Sequence, residues 1–456
     1  MKEINIILVV YLCLFINVLS STTISFSSSG DGYTVSGNVV TITSDGEYDI
    51  SGTQTNKQII VSSSCTINLN TFSLTNSGSL TPILVEDEQT LNLVLTGEST
   101  LKDSSTNEND GTIYLEEGAS LIIYGTGTLN INPYKLMAIN GTEDTSLTVN
   151  DGPTINIQST SSNAGGIYMR KEIIFNNAKY TYSCTSGSNH ALDTEGTIKL
   201  VKGTYTINSG SGKGIQSEKY LYIGEESGSD SDLTLTITTS NEGIEAKKIE
   251  IYSGTITITA EEDGINAASS DDDCEETVHC SGTCACYLTI KGGSLTVTSG
   301  EDGLDANGDI TISGGEVIVF AASDSEDQPI DQDGLLSITG GTVLAAGSSA
   351  MGGVSAQTTQ TAKTYTGTIS SGAKLVATDS SGNEIISLTT PKVANYLYFN
   401  HGSAFTVTLN GNTIISSGSD GSGTNDGNDE PEVYTTKGSF FKALNILFMI
   451  GLIMVL

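Results

Sequence analysis

The chain has 456 residues, and its 53 acidic side chains outnumber 19 basic ones to give a formal net charge of −34. Nucleic acid is excluded as a natural partner, because phosphate contacts need clustered Lys and Arg and the chain contains a single arginine, Arg170. Glycine is abundant at 51 residues, and tryptophan is absent. Thr, Ser, Ile and Val dominate short alternating runs, which favours an all-β protein.

The first 20 residues are typical of a secretory signal peptide. A lysine precedes the apolar stretch from Ile4 to Leu19, and a small residue, Ser20, follows it at the expected cleavage site. An uncleaved anchor is the alternative. We therefore expect residues 1–20 to be removed and the mature protein to be secreted.

Strand-like runs begin soon after the predicted signal peptide. They lie at residues 39–43, 91–95, 112–115 and 120–124. Polar and apolar residues largely alternate within them, which is the period of a strand with one buried face. The same texture continues into the middle of the chain, so we expect one continuous β architecture there.

A short phrase then recurs, consisting of a small residue, an aliphatic residue, and an acid or amide. Clear copies are Gly243-Ile244-Glu245, Gly264-Ile265-Asn266, Gly303-Leu304-Asp305 and Pro329-Ile330-Asp331; weaker copies are Gly166-Ile167-Tyr168, Ala191-Leu192-Asp193 and Gly214-Ile215-Gln216. The aliphatic positions recur every 21 to 29 residues, apart from one interval of 39 residues that contains a cysteine-rich insert. A repeat of this length indicates stacked turns of a solenoid.

Each interval holds two further strand-like runs, as at 248–252 and 255–259, with Gly254 at the corner between them. Glycine supplies the positive φ that such a corner needs. Three short strands per turn predict a right-handed parallel β-helix over residues 21–355, with adjacent turns about 4.8 Å apart. Hairpin-like runs predict a small C-terminal β cap over residues 356–415, which would protect the open end of the coil from edge pairing.

Acidic and amide side chains recur at one point of each predicted turn. They are Glu242, Glu245, Asp263, Asn266, Asp302, Asp305, Asp327, Asp331 and Asp333. Carboxylates stacked about 4.8 Å apart repel one another unless a cation lies between them. Oxygen atoms from neighbouring turns suit the flexible coordination of Ca²⁺ better than the strict octahedron of Mg²⁺. We therefore predict a calcium-binding column, and the alternative is a polar ladder without metal.

Six cysteines follow the predicted signal peptide. Four lie in the insert 269–286, namely Cys274, Cys280, Cys284 and Cys286, together with His279. Their spacing matches no common zinc finger, and thiols oxidise outside the cell, so disulfides are predicted, with three pairings open and zinc as the alternative. Cys65 and Cys184 either pair or remain buried core residues. A sequon at Asn140 predicts one glycan.

The C-terminal segment predicts attachment to the outer cell surface. Residues 416–439 are rich in Gly, Ser, Asn and Asp, as in a flexible linker. Residues 440–456 are largely apolar but shorter than the roughly 20 residues of a spanning helix, and no basic flank follows them. A GPI-anchor signal is predicted, with Asn425 or Gly427 as the attachment residue. A minimal transmembrane helix is the alternative.

Three segments carry a resemblance to a known family. They are Glu262-Asp263-Gly264-Ile265-Asn266-Ala267, residues 301–315 beginning Glu301-Asp302-Gly303-Leu304-Asp305, and residues 340–349. These residues resemble the Cthe_2159-type carbohydrate-binding β-helix family, which is similar in fold to the pectate lyases. The resemblance implies a calcium-containing protein that binds polygalacturonate and cellulose. The cysteine-rich insert and the membrane-tail signal depart from that family.

Three functions remain open. The first is a non-catalytic, calcium-dependent, monomeric surface protein that binds polygalacturonate or a related acidic plant-wall polysaccharide, with cellulose as a further ligand. The second is a pectate-lyase-like enzyme, in which Lys247 or Lys248 would remove a proton from the substrate. The third is a structural or adhesive surface protein. Tyrosines that would stack on sugars if they lie outside, or otherwise pack half-buried, are Tyr114, Tyr168, Tyr222 and Tyr252.

Overall fold

The computed structural model describes residues 21–418, apart from 105–110, 135, 160, 185–186, 228–231, 240, 269–284, 324–326 and 349–356. Across these residues the chain is all-β, and they include no helix long and apolar enough to cross a membrane. Several predicted features lie outside the described residues. They are the signal peptide, the insert cysteines Cys274, Cys280 and Cys284 with His279, the predicted attachment residues Asn425 and Gly427, and the tail 440–456.

The chain forms a β-solenoid of about eleven turns, and the first strand of each turn belongs to one sheet, sheet A. Its strands are β2 Tyr33–Ser36, β3 Val39–Ile42, β5 Gln58–Val61, β7 Ile83–Val85, β10 Ile113–Leu115, β13 Met137–Gly141, β16 Gly165–Met169, β19 Leu192–Thr194, β26 Ile265–Ala267, β29 Leu304–Ala306, β32 Ile330–Gln332 and the first parts of β22 Ile215–Ile223 and β24 Ile244–Ile251. Beyond an antiparallel start at β2 and β3, neighbours pair in parallel, and Ile265 lies opposite both Ile244 and Leu304.

The second strand of each turn belongs to sheet B. Its strands are β1 Thr22–Thr23, β8 Thr90–Thr96, β11 Ser120–Gly125, β14 Ser146–Val149, β17 Glu172–Phe175, β20 Thr197–Leu200, β27 Tyr287–Ile290, β30 Asp309–Ile312, β33 Leu336–Ile338, β35 Gln357–Thr358, the first parts of β4 Glu47–Thr55 and β6 Cys65–Asn76, and the second parts of β22 and β24. Buried and exposed positions alternate along these strands, so every second side chain points away from the core.

The third strand of each turn belongs to sheet C. Its strands are β9 Glu98–Asp103, β12 Thr128–Asn132, β15 Thr154–Ser159, β18 Ala178–Cys184, β21 Gly203–Gly210, β23 Leu233–Thr239, β25 Thr255–Thr259, β28 Ser294–Thr298, β31 Glu316–Phe320, β34 Thr342–Gly347 and the second parts of β4 and β6. The strands pair in parallel between turns. Three short parallel strands per turn confirm the predicted architecture.

Glycine is required at two points of the repeat. At the corner between sheets B and C, Gly254 and Gly293 have φ values of 107° and 84°, in the left-handed region that disfavours other residues. In the recurring phrase, a Cβ added at Gly303 would lie only 2.1 Å from Cγ1 of Val319. The first requirement follows from backbone conformation, and the second follows from the tightly packed interior of the coil.

The core is a continuous column of aliphatic side chains inside the coil. Ile265 and Leu304, both predicted to be buried, are 0% exposed. Cys65 and Cys184 are free thiols buried in the core, on strands β6 and β18 of different sheets. Of the two open alternatives, pairing is therefore wrong and burial in the core is correct. Burial raises the pKa of the Cys65 thiol to about 12, which keeps it unreactive. Cys286 is also buried.

Antiparallel strands cover the C-terminal end of the coil. They are β36 Thr361–Ile369, β37 Lys374–Asp379, β38 Glu384–Thr389, β39 Ala394–His401, β40 Phe405–Leu409 and β41 Asn412–Ser416. Strand β39 pairs with both β34 and β36, while β38, β37, β40 and β41 form a separate sheet. Phe399 and Phe405 pack edge to face at 4.6 Å within a second buried cluster. This arrangement confirms the predicted cap, which protects the last turn from edge pairing.

Candidate functional site

Two ladders of polar side chains run along sheet A. The strand ladder occupies the half-buried middle position of successive strands and consists of Asp193, Gln216, Glu245, Asn266, Asp305 and Asp331. The corner ladder occupies the residue before the small residue of each phrase and consists of His190, Lys213, Glu242, Asp263, Asp302 and Gln328. Parallel register thus makes neighbours of side chains that are a full turn apart in sequence.

Side chains of the corner ladder tie one turn to the next. An Asp263 carboxylate oxygen accepts the backbone N–H of Asp302 at 2.9 Å, and the Asp302 carboxylate accepts the backbone N–H of Gln328. His190 Nδ1 accepts the backbone N–H of Lys213 at 2.9 Å in the same way. Each aspartate therefore uses one oxygen to satisfy the backbone of the next turn.

Three carboxylates converge where the two ladders meet near the C-terminal end of the coil. Oxygen atoms of Asp302, Asp305 and Asp331 lie within 4.8 Å of one another, and we call this group the acid cluster. The next residue along the strand ladder, Asn266, has a buried Oδ1 that accepts no hydrogen bond from the described residues. A buried acceptor without a partner is costly. Carboxylates and an uncommitted amide oxygen are the donor set that suits Ca²⁺.

The acid cluster holds its carboxylates in an environment that disfavours their charge. Burial and neighbouring acids raise the pKa of Asp305 to about 8 from an ordinary 3.8. Burial, reinforced by neighbouring acids, likewise raises the pKa of Asp302 and of Asp263 to about 7, and it raises the pKa of Asp331. A bound divalent cation would reverse this penalty, because an adjacent positive charge favours the ionised form.

The shifted carboxylates predict how stability depends on pH when no divalent cation is bound. Because the pKa of Asp305 rises from 3.8 unfolded to about 8 folded, the folded state binds more protons between these values, and stability falls as pH rises through that range. In EDTA, the melting temperature should therefore be lower at pH 8 than at pH 5. Thermal melts should show a weaker decline for Asp305→Asn than for wild type, and an unchanged decline for the control Glu384→Gln, which removes an exposed carboxylate on β38 of the cap. A melting temperature that rises from pH 5 to pH 8 would contradict this assignment.

A lysine lies among the acidic side chains in the neighbouring part of the ladders. Lys213 Nζ lies 3.1 Å from Glu242 and also contacts Glu245, and all three side chains are less than a fifth exposed. Burial lowers the pKa of Lys213, but its hydrogen bonds and the charges of Glu245 and Glu242 outweigh this and raise it. The ammonium group thus pairs with Glu242 and Glu245, which were predicted to bind calcium, although burial and Glu242 still raise the pKa of Glu245 to about 7. The sequence pattern did not reveal this pairing.

The remaining predicted ligands take different positions. Asp263 and Asn266 adjoin the acid cluster along the two ladders. Asp333 is exposed, and its carboxylate accepts a long hydrogen bond of 3.5 Å from Asn307. Neither Asp327 nor Asp333 belongs to the acid cluster. The structure therefore narrows nine candidate ligands to three converging carboxylates with Asp263 and Asn266 beside them.

The candidate bases of a lyase lie away from the acid cluster. Lys248 belongs to sheet B, where its Nζ lies 5.1 Å from the ring centre of Tyr220 and 5.8 Å from that of Tyr287. Lys247 is half-buried at the bend of β24 between sheets A and B. Proton abstraction needs the base within hydrogen-bond reach of a substrate held at the metal. The structure brings neither lysine to the three carboxylates.

The predicted sugar-contacting and glycosylated residues divide between two sheets. Tyr114, Asn140 and Tyr168 are half-buried neighbours in the N-terminal continuation of the strand ladder. Tyr168 donates a hydrogen bond of 2.7 Å to Glu195. Tyr222 and Tyr252 lie instead on sheet B and at its corner, with rings 6.4 Å apart. Glycosylation of Asn140 remains a prediction.

Comparison with known proteins identifies one family. The family model described as carbohydrate-binding domain-containing protein matches residues 36–270 and 227–428, and so spans the solenoid and its cap. Neither the curated proteins nor the solved structures provide a match to the chain. The matched segments include both ladders and the acid cluster, and the resemblance found at residues 262–267 and 301–315 is confirmed. The chain belongs to the family of carbohydrate-binding domain-containing proteins.

Proposed function

We propose that the protein binds an acidic plant-wall polysaccharide, polygalacturonate or a related polymer, at the acid cluster in a calcium-dependent manner, and does not cleave it. The observation that carries this proposal is the convergence of Asp302, Asp305 and Asp331 within 4.8 Å on successive turns. Membership of a carbohydrate-binding family supports a polysaccharide as the partner. The donor set supports calcium as the ion that Asp302, Asp305 and Asp331 would hold.

The negative charge of the protein explains why an acidic polysaccharide would need a bound cation. The chain carries a formal net charge of −34, so a polyuronate would be repelled by the protein as a whole. At the acid cluster, bound Ca²⁺ supplies positive charge that both the aspartates and uronate carboxylates can share. Asp302 and Asp263 hold the turns in register by accepting backbone N–H groups, and this fixes the spacing of the ligand atoms. The rigid coil thereby presents a preformed site.

The positions of the lysines support binding over cleavage. Lys213, the lysine within the corner ladder, is held protonated by Glu242 and Glu245. Lys248 engages tyrosine rings on another sheet. A lyase needs a neutral base near the metal-bound uronate.

We further propose that the protein acts outside the cell, attached through its C-terminal segment, because residues 1–20 resemble an export signal and residues 440–456 resemble an anchor signal.

A panel of immobilised wall polymers tests the proposal. Mature protein should bind polygalacturonate in calcium and lose at least tenfold in affinity in EDTA. No ultraviolet-absorbing unsaturated product should accumulate, since lyase chemistry would create one. Appearance of that product, and its loss in Lys247→Ala or Lys248→Ala, would replace the binding function with the enzymatic one. Failure to bind any acidic or neutral polymer would leave a structural surface protein.

A further inference from the structure

Sheet B carries a cavity that takes no part in the acid cluster. Its volume is about 700 Å³, and its lining includes Lys199, Tyr222, Glu225, Glu250, Tyr252 and Lys291. This size falls within the usual range of ligand sites, which combine aromatic surface with a few placed polar groups. The cavity lies over the outward side chains of β20, β22 and β24 and the corner that follows them. It therefore faces a different direction from the two ladders of sheet A.

Tyrosine side chains lie next to one another along sheet B, and two of them, Tyr222 and Tyr252, line this cavity. The rings of Tyr220 and Tyr222 are 5.8 Å apart with an interplanar angle of 5°, and those of Tyr222 and Tyr252 are 6.4 Å apart at 18°. Tyr287 follows on the next strand, opposite Lys248. All four side chains are half-buried. We call Tyr220, Tyr222, Tyr252 and Tyr287 the tyrosine row.

Glu250 holds two of these tyrosine rings in place through hydrogen bonds to their hydroxyl groups. Its carboxylate accepts hydrogen bonds from the hydroxyls of Tyr252 at 2.8 Å and Tyr287 at 3.0 Å, and it pairs with Lys291 at 2.7 Å. Burial raises the pKa of Glu250, but these three donors outweigh it and lower the pKa. Charge-assisted hydrogen bonds of this kind hold the rings in place before any ligand arrives.

The charges at the cavity determine which ligand it fits. Its lining contains Lys199 and Lys291 against Glu225, Glu226 and Glu250, so the wall has no cationic excess to attract a uronate. Lysines that contact the rings, such as Lys291 at 4.5 Å from the centre of Tyr252, are arranged around aromatic surface. Aromatic carbon surface suits the C–H face of an uncharged sugar ring, while the carboxylate and ammonium groups suit its hydroxyls.

We propose that the cavity of sheet B is a second, calcium-independent carbohydrate site, in which Tyr222 and Tyr252 contact a neutral pyranose ring and Glu250 and Lys291 contact its hydroxyls. The protein then has two binding faces with different chemistry. The acid cluster on sheet A takes uronates, and the tyrosine row on sheet B takes uncharged sugars. This inference does not depend on the calcium site, because none of the residues that carry it belongs to either ladder.

Titration of neutral oligosaccharides in EDTA tests the second site. Wild-type mature protein should bind cellohexaose or xylohexaose by isothermal titration calorimetry with calcium removed. Tyr222→Ala with Tyr252→Ala should weaken that binding at least tenfold. The control is Tyr134→Ala, which removes a tyrosine that is 45% exposed and lies outside the cavity, and it should bind as wild type does. The paired variant Tyr222→Leu with Tyr252→Leu retains apolar volume, so loss of binding with an unchanged melting temperature separates sugar contact from packing.

The outcomes distinguish this proposal from the first one. Chelation should abolish polygalacturonate binding and leave neutral-sugar binding unchanged. The tyrosine variants should lose neutral-sugar binding and keep calcium-dependent polygalacturonate binding. Absence of neutral-oligosaccharide binding by wild type in EDTA would overturn the second site. Equal affinity in wild type and in the leucine variant would also overturn it. Binding of oligogalacturonate in EDTA that depends on Tyr222 and Tyr252 would show that the cavity takes an anionic ring, and would overturn the neutral assignment.

Discussion

Added calcium is expected to stabilise the folded protein, and replacing Asp302 and Asp305 together by Asn is expected to remove most of that stabilisation. A ligand that binds only the folded state stabilises it by about 2.7 kcal/mol at a hundredfold excess over its Kd. The two aspartates supply two of the three converging carboxylates. Replacing both by asparagine should therefore lower the affinity for calcium enough to remove most of this gain in stability. Thermal melts in calcium and in EDTA measure it directly.

The same pair should leave the coil folded when calcium is absent. Both carboxylates have raised pKa values because burial and neighbouring acids penalise their charge, so uncharged amides should be at least as stable in EDTA. In Asp302→Asn, the side-chain amide would retain an oxygen that can accept the Gln328 N–H. The control is Glu261→Gln with Glu301→Gln, which removes the same charge from two exposed residues, one on the turn of β29 and one on the preceding turn. If the control loses as much of the calcium-dependent stabilisation as the aspartate pair, calcium acts by nonspecific screening of negative charge and not at the acid cluster.

Leu304→Ala is expected to destabilise the protein by about 2–5 kcal/mol, in calcium and in EDTA alike. Leu304 is 0% exposed and packs within the continuous aliphatic column, and truncation would leave a cavity that the flanking turns cannot close. Chemical denaturation of the variant and of wild type gives the difference in unfolding free energy.

Comparison of this variant with the aspartate pair separates the core from the site. Leu304 and Asp305 are adjacent on β29 but point in opposite directions, since one is buried and the other half-buried on the outward side. If Asp302→Asn with Asp305→Asn destabilised the protein in EDTA as much as Leu304→Ala, the ladders would be part of the structural core. The facing assigned to sheet A would then be wrong.

The fold was predictable because the length of the repeat and its glycine positions determine the turn length and the corners of the coil. The spacing of Ile215, Ile244 and Ile265 indicates the turn length, and parallel pairing then brings these residues into register. Gly254 and Gly293 mark corners through their positive φ, a requirement that is local and therefore visible in sequence. The cap could be located but its strand order could not, because β39 returns antiparallel to β34 across a segment without the repeat.

The site was only partly predictable, because side-chain partners depend on reach as well as on register. The acids at Asp302, Asp305 and Asp331 follow directly from the phased repeat. The pairing of Lys213 with Glu242 and Glu245 does not, since a long side chain crosses from the preceding turn to compensate them. A basic residue at the acidic position of a neighbouring copy was the available signal.

The tyrosine row shows the same limit on the neighbouring sheet. The sequence identified Tyr222 and Tyr252 as stacking candidates, but Tyr220 and Tyr287 were missed. Tyr287 lies within the 39-residue interval, directly after the cysteine-rich insert, so its equivalence to Lys248 and Tyr220 becomes clear only when the register of sheet B is known. Alternation along 220–222 could have placed both tyrosines on one face, and this was the usable signal.

The affinity of a short oligogalacturonate, measured by isothermal titration calorimetry in calcium, tests the central claim most directly. The comparison is between wild type, Asp302→Asn with Asp305→Asn, and the exposed control Glu261→Gln with Glu301→Gln. The claim predicts binding by wild type and the control, with at least a tenfold loss, about 1.4 kcal/mol, in the aspartate pair. Equal affinity for all three proteins would contradict a uronate site at the acid cluster.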